Sequence, residues 1–96
     1  MIFEKIDKLI RYYLGKNISK DEILEFQIQF EVIFSNFRDE LENEIGIYKY
    51  EILDSIYMAF DSYEPNEEIR KDDKFCIDEY SLITKIKNAY ESIKSI

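Results

Sequence analysis

The sequence predicts an all-α fold: a single-domain, up-and-down four-helix bundle with helices at about 2–14, 20–42, 47–62 and 78–95. Three observations carry this. The chain has two glycines and one proline in 96 residues, whereas all-β folds need many more turn residues. Apolar residues recur at three- and four-residue steps in four segments, the spacing of one helix face. The connections between these segments are mostly short, which favours antiparallel neighbours. Apolar residues make up 46% of the chain and aromatics 16%, ample for one core. A chain of this length does not hold two, so residues 1–96 are read as one domain.

In the first segment Ile2, Phe3, Ile6, Leu9, Ile10, Tyr13 and Leu14 form one stripe. Gly15 follows and suits a left-handed cap. Ser19-Lys-Asp-Glu22 is a capping box, with acids in the first turn of the second helix. Ile23, Phe26, Phe30, Ile33, Phe34, Phe37 and Leu41 line one face of that helix. Ile28 and Val32 lie off the stripe and are expected to touch another helix. Asn43 to Gly46 mark a break. The third helix carries Ile52, Leu53, Ile56, Tyr57, Ala59, Phe60 and Tyr63, and Pro65 stops it because the residue before proline avoids helical geometry. Residues 64–77 read as the longest loop. Asp78 caps the last helix, whose stripe is Leu82, Ile83, Ile86, Ala89, Tyr90 and Ile93.

The chain has no histidine. That removes Ser-His-Asp and Cys-His nucleophile systems, the usual zinc ligands and the Glu-x-x-His pairs of di-iron bundles. Two glycines cannot build a phosphate-cradling loop. Counting from Asp61, an EF-hand loop would need Tyr63 and Pro65 as ligands and lacks its glycine. Cys76 has only Lys74 nearby to favour a thiolate and reads as a small, half-buried thiol. The expectation is a non-enzyme with no cofactor and no metal. A lone cysteine fits a reducing cytoplasm, and the interrupted apolar runs cannot span a bilayer.

The formal charge is −8, unevenly placed. Residues 39–79 hold 14 acids and 4 bases, a net −10, leaving +2 for the rest. Such a field repels nucleic acid and attracts basic partners. Its centre is Phe60-Asp-Ser-Tyr-Glu-Pro-Asn-Glu-Glu-Ile-Arg70, which holds the only proline. Between Asp61 and Glu68 it carries four acids, Asp61, Glu64, Glu67 and Glu68, and no base.

Residues 50–86 resemble the colicin D immunity family, which includes immunity proteins of contact-dependent growth inhibition systems. The likeness rests on Ile52-Leu-Asp-Ser-Ile-Tyr-Met-Ala-Phe-Asp-Ser-Tyr-Glu-Pro-Asn-Glu-Glu-Ile-Arg70. There a helix of the form Ile-Leu-x-x-Ile-Tyr-x-Ala leads into a Tyr-Glu-Pro corner and then an arginine. Ile77-Asp-Glu-Tyr-Ser-Leu82, and Ser19-x-x-Glu22 with Phe26 and Phe30, extend it over most of the chain. The resemblance implies a small four-helix bundle that binds the C-terminal nuclease domain of a cognate toxin, typically a tRNase. It implies occlusion of the active site by acids standing in for tRNA phosphates. Carried over by position, Asp61 is the helix-end acid and Glu64 the acid before proline. Asn66 stands where the family commonly has aspartate, one charge fewer, which implies a different cognate toxin.

The expected toxin-binding residues are Asp61, Tyr63, Glu64, Asn66, Glu67 and Glu68, with Glu51 and Asp54 as rim residues on the preceding helix. Tyr63 also fits a core-edge position, and Asp61 equally fits an ion pair with Arg70. The partner is expected to be a basic protein surface, without direct contact to nucleic acid or membrane, and the protein a cytoplasmic monomer. A helical adaptor or chaperone-like module that binds a basic protein is the alternative, and an acidic metal-binding or catalytic bundle a weaker third.

Overall fold

The computed structural model describes residues 1–95 and is all-helical. Five helices follow in order: α1 Ile2–Leu14, α2 Lys20–Asn36, α3 Arg38–Ser62, α4 Glu67–Asp72 and α5 Glu79–Ser95. The only β-type pairing among the described residues is an isolated parallel bridge between Tyr63 and Ile77. None of the described helices is long and apolar enough to cross a membrane.

The expected second helix, 20–42, is divided at Phe37, whose φ of −128° and ψ of 32° interrupt it. Ser35 and Asn36 favour helix ends over helix interiors, and Asp39 and Glu40 supply acids to a new first turn. The expected third helix therefore gains an earlier arm. α3 starts at Arg38 and passes through a non-helical Gly46, at φ 83° and ψ 164°, where the break was expected. Gly15 closes α1 in a right-handed conformation, φ −79°, not the left-handed one expected. Its lack of a side chain matters for another reason. A Cβ there would stand 3.1 Å from the Arg11 carbonyl oxygen, which accepts the Gly15 N–H.

The core joins one face of each long helix. Ile6, Ile10 and Tyr13 come from α1, and Ile23, Phe26, Phe30 and Phe34 from α2. α3 gives Leu41, Leu53, Ile56, Ala59 and Phe60, and α5 gives Leu82, Ile86, Tyr90 and Ile93. Aromatic rings form a continuous column through it. Tyr13 stacks on Phe26 at 4.7 Å, Phe26 meets the edge of Phe60 at 4.9 Å, and Phe30 lies 5.6 Å from both Phe60 and Phe34. Phe34 continues to Tyr50 at 5.4 Å. Offset and edge-on pairs of this kind add to simple area burial.

Carboxylates hold the starts of three helices. Ser19 and Glu22 form the expected capping box at α2. Asp78 accepts the Ser81 N–H at 2.8 Å and opens α5. α1 has no side-chain cap of its own. Glu44 reaches it from α3 instead, its two oxygens accepting the N–H groups of Ile2 and Phe3 at 3.0 Å each. α5 is tied to α1 by the Tyr90 hydroxyl, which donates to Asp7 at 2.6 Å. Burial, together with this bond to Asp7, pushes the Tyr90 phenol up to about 12.

Two predictions follow from these constraints. Nothing lies within 4 Å of a Cβ built on Gly46, so Gly46→Ala meets no clash, only an unfavourable backbone. That region is essentially restricted to glycine, and the substitution is expected to cost about 1–3 kcal/mol. Urea unfolding measures it. The second concerns acid. Lys16 and the accepted Ser19 N–H hold Glu22 below the usual carboxylate range, and accepted N–H bonds do the same for Glu44 and Asp78. Groups with depressed native values stabilise the fold above their unfolded values, and that contribution fades as pH falls through the native ones. The thermal midpoint should stay level down to about pH 5 and fall below about pH 4. The triple variant Glu22→Gln, Glu44→Gln, Asp78→Asn should flatten that fall.

Candidate functional site

The corner begins at Phe60, which is buried in the aromatic column and fixes the last turn of α3. The Tyr63 N–H donates to the Phe60 carbonyl at 3.2 Å, and Tyr63 itself is extended, φ −73° and ψ 130°. Ile77 pairs beside it. Its N–H donates to Ser62 at 2.9 Å, and its carbonyl accepts from Glu64 at 3.1 Å. The chain leaving α3 is thus stitched to the chain entering α5.

The stretch expected as one loop, 64–77, contains α4. Its N-cap is Asn66, whose side chain accepts the Glu68 N–H at 2.9 Å, with Glu67 and Glu68 as first-turn acids. Asparagine and aspartate both serve well as N-caps. Asn66 therefore loses a charge relative to aspartate without losing the turn.

Two cations brace the corner, and one carboxylate holds both. Arg70 donates to the Glu64 carbonyl at 2.6 Å, and Lys20 to the Pro65 carbonyl at 3.1 Å. Glu79 lies 3.4 Å from Lys20 and 3.7 Å from Arg70. The expected alternative of an Asp61–Arg70 pair is not realised. Arg70 turns towards Glu79 and the corner backbone, and Asp61 has no ion pair among the described residues.

The structure separates the eight expected site residues. Asp61, Asn66, Glu67 and Glu68 are exposed and stand around the corner, and Glu51 is exposed further up α3. Tyr63, Glu64 and Asp54 are half-buried. Glu64, the acid expected to face the toxin before Pro65, is only partly exposed. Its carboxylate instead folds back to accept the Asn66 N–H at 3.1 Å, so it shapes the turn. Tyr63 packs at the edge of the core, and its buried hydroxyl has no hydrogen-bond partner. Burial, with Glu79 nearby, pushes its phenol up. The free carboxylates at the corner are therefore Asp61, Glu67 and Glu68.

Sequence reasoning missed an exposed apolar surface at the end of α3. Met58 and Phe75, 62% and 76% exposed, line a shallow cleft of about 320 Å³ between α3 and the segment entering α5. Ser55 joins it to a second cleft lined by Tyr48, Glu51 and Ile52. Met58 falls off the apolar stripe of α3, which was the available signal. Burial and Asp73 push the Cys76 thiol up, so its thiolate is scarce at neutral pH. Among the described residues no three His, Cys, Asp or Glu side chains gather as a metal site. What the arrangement offers chemically is a fixed negative surface beside exposed apolar groups. No protein-family model, curated protein or solved structure matches the chain.

The bracing makes a prediction. Partly exposed ion pairs contribute up to about 1 kcal/mol each. Glu79→Gln should release both cations and speed hydrogen exchange at the Glu64 and Ile77 amides roughly fivefold, the equivalent of about 1 kcal/mol. Amides of Phe30 and Phe34 should be unaffected. NMR-detected exchange gives both readings, and a uniform change across the chain would contradict local bracing.

Proposed function

We propose that this chain is an immunity protein, of the kind the colicin D immunity resemblance implies. It binds the C-terminal nuclease domain of a cognate bacterial toxin in the cytoplasm and blocks the active site with an acidic surface. The toxin is a tRNase in this reading. The protein acts as a monomer by stoichiometric occlusion, without a cofactor and without catalysis of its own. The up-and-down four-helix bundle belongs to the same proposal. α1, α2, the arm of α3 after Gly46 and α5 supply the four long segments, with 38–45 and α4 as connections.

The observation that supports this reading is the braced corner. A nuclease presents cationic groups to phosphates, and an inhibitor of such a site needs carboxylates already in place. Asp61, Glu67 and Glu68 are exposed and free of ion pairs among the described residues. The turn between Asp61 and Glu67 is held by Lys20, Arg70 and Glu79. A preformed surface loses little chain entropy on binding, and opposite charge speeds encounter and selects partners. The alternative, an adaptor for a basic protein, draws on the exposed Phe75 and the exposed Met58, one turn before Asp61 on α3.

The test is co-expression with the variable C-terminal domain of a large secreted protein encoded next to this chain. The protein should bind that domain and rescue growth, and failure of both sinks the immunity reading. Binding without rescue favours the adaptor. Within the complex, Asp61→Lys, Glu67→Lys and Glu68→Lys together should lower the association rate about tenfold or more at low salt and flatten its salt dependence. Unchanged kinetics would place the contact elsewhere.

A further inference from the structure

α2 is apolar on two sides. Ile23, Phe26, Phe30 and Phe34 face the core. Leu24, Ile28 and Val32 follow one another at four-residue steps on the outer side, 55%, 53% and 54% exposed. The sequence suggested that Ile28 and Val32 meet another helix, and none of the described helices covers them. Residues four apart on a helix are neighbours, so the three form one ridge rather than scattered surface groups.

The ridge has a charge signature. Asp21 lies at its N-terminal end, Glu25 along one edge and Glu31 along the other, by helical spacing. Glu25 accepts a long bond from Tyr13 at 3.5 Å and Glu31 one from Gln27 at 3.2 Å. None of the three acids has an ion pair among the described residues. Lys20 is the one base of α2 and is held at the corner by Pro65 and Glu79.

We infer that this outer face of α2 is a docking surface for an amphipathic helix of a partner protein, with an apolar stripe flanked by lysine or arginine. Apolar contact on the ridge supplies the burial, and cations on the partner meet Glu25 and Glu31. A second copy of this chain is the poorer occupant. Two ridges laid together set carboxylate edges against each other in either direction, which disfavours pairing. The cleft beside Met58 is less selective, since Lys74 sits over the Phe75 ring and Lys85 lines it. The inference does not depend on the nuclease reading, because it concerns a different face and names only partner chemistry.

The probe is a synthetic, fluorescein-labelled helical peptide of about four turns, with leucines at four-residue steps and flanking lysines. Its twin carries glutamates in place of the lysines. Fluorescence anisotropy should show binding of the lysine peptide at least tenfold tighter than of the glutamate one. The variant Leu24→Ser, Ile28→Ser, Val32→Ser should weaken the lysine peptide at least tenfold while circular dichroism keeps the helical signal. Glu25→Gln with Glu31→Gln should weaken it and reduce its salt dependence, and because these positions are outside the core the fold is retained. Equal binding of the two peptides, no binding, or indifference to the serine variant each overturn the inference. A dimer in sedimentation that the serine variant abolishes would make a second copy the occupant and overturn it as well.

Discussion

Phe60 is the contact on which the placement of the corner depends. It is the last core residue of α3, 1% exposed, with its ring against both Phe26 and Phe30 of α2. Three residues later the chain is extended, and Pro65 follows two residues after that. Because the rings fix the last turn of α3 against α2, they also fix where the corner leaves the globule. Dense aromatic packing resists small adjustments, since neighbouring rings must move together. Removing the Phe60 ring would leave a large cavity at the joint between core and surface, where both stability and the position of the corner are set.

The acids of this protein divide into two populations that a net charge of −8 conceals. One population is structural. Glu22, Glu44, Glu64 and Asp78 accept backbone N–H groups, Glu79 holds two cations, and Asp7 accepts the Tyr90 hydroxyl. Their charge is spent on helix ends and turns, where the backbone already carries partial positive charge. The other population has no such partner and projects a field into solvent. Asp61, Glu67 and Glu68 belong to it at the corner, and Asp21, Glu25 and Glu31 largely do along α2. Only the second population is free to meet a basic partner without dismantling the fold.

This division also explains which parts of the structure were legible in the sequence. α1, the start of α2, the end of α3 at the corner and the start of α5 were readable because their causes are local: a periodic stripe, a capping box, a proline, a capping aspartate. The division at Phe37 was not, because Phe37 and Leu41 continue the stripe of Phe34 in register, and only Ser35 and Asn36 hint at a stop. α4 has no apolar stripe, and its one local signal was Asn66 followed by two glutamates. Glu44 on the start of α1 and Glu79 between Lys20 and Arg70 join residues distant along the chain. No short-range pattern specifies such pairs. The outward ridge was visible as residues off the stripe, but whether another element covers it is a question of tertiary packing.

α2 is where these threads meet. Its inner phenylalanines anchor Phe60, its first residue braces Pro65, and its outer aliphatic residues remain uncovered. The capping box at Ser19 and Glu22 lies at the same end as Lys20, and Lys16 holds Glu22 at 2.6 Å. Fraying of that first turn would loosen the Lys20 contact and, with it, one of the two cations on the corner. The cap of α2 therefore acts beyond its own helix. It keeps Lys20 beside Pro65 and Glu79, so no base of α2 itself meets the acids of its outer face. The ridge and the corner are thus coupled through one helix start: the lysine that braces the corner through Pro65 and Glu79 is not available to the acids of the outer face.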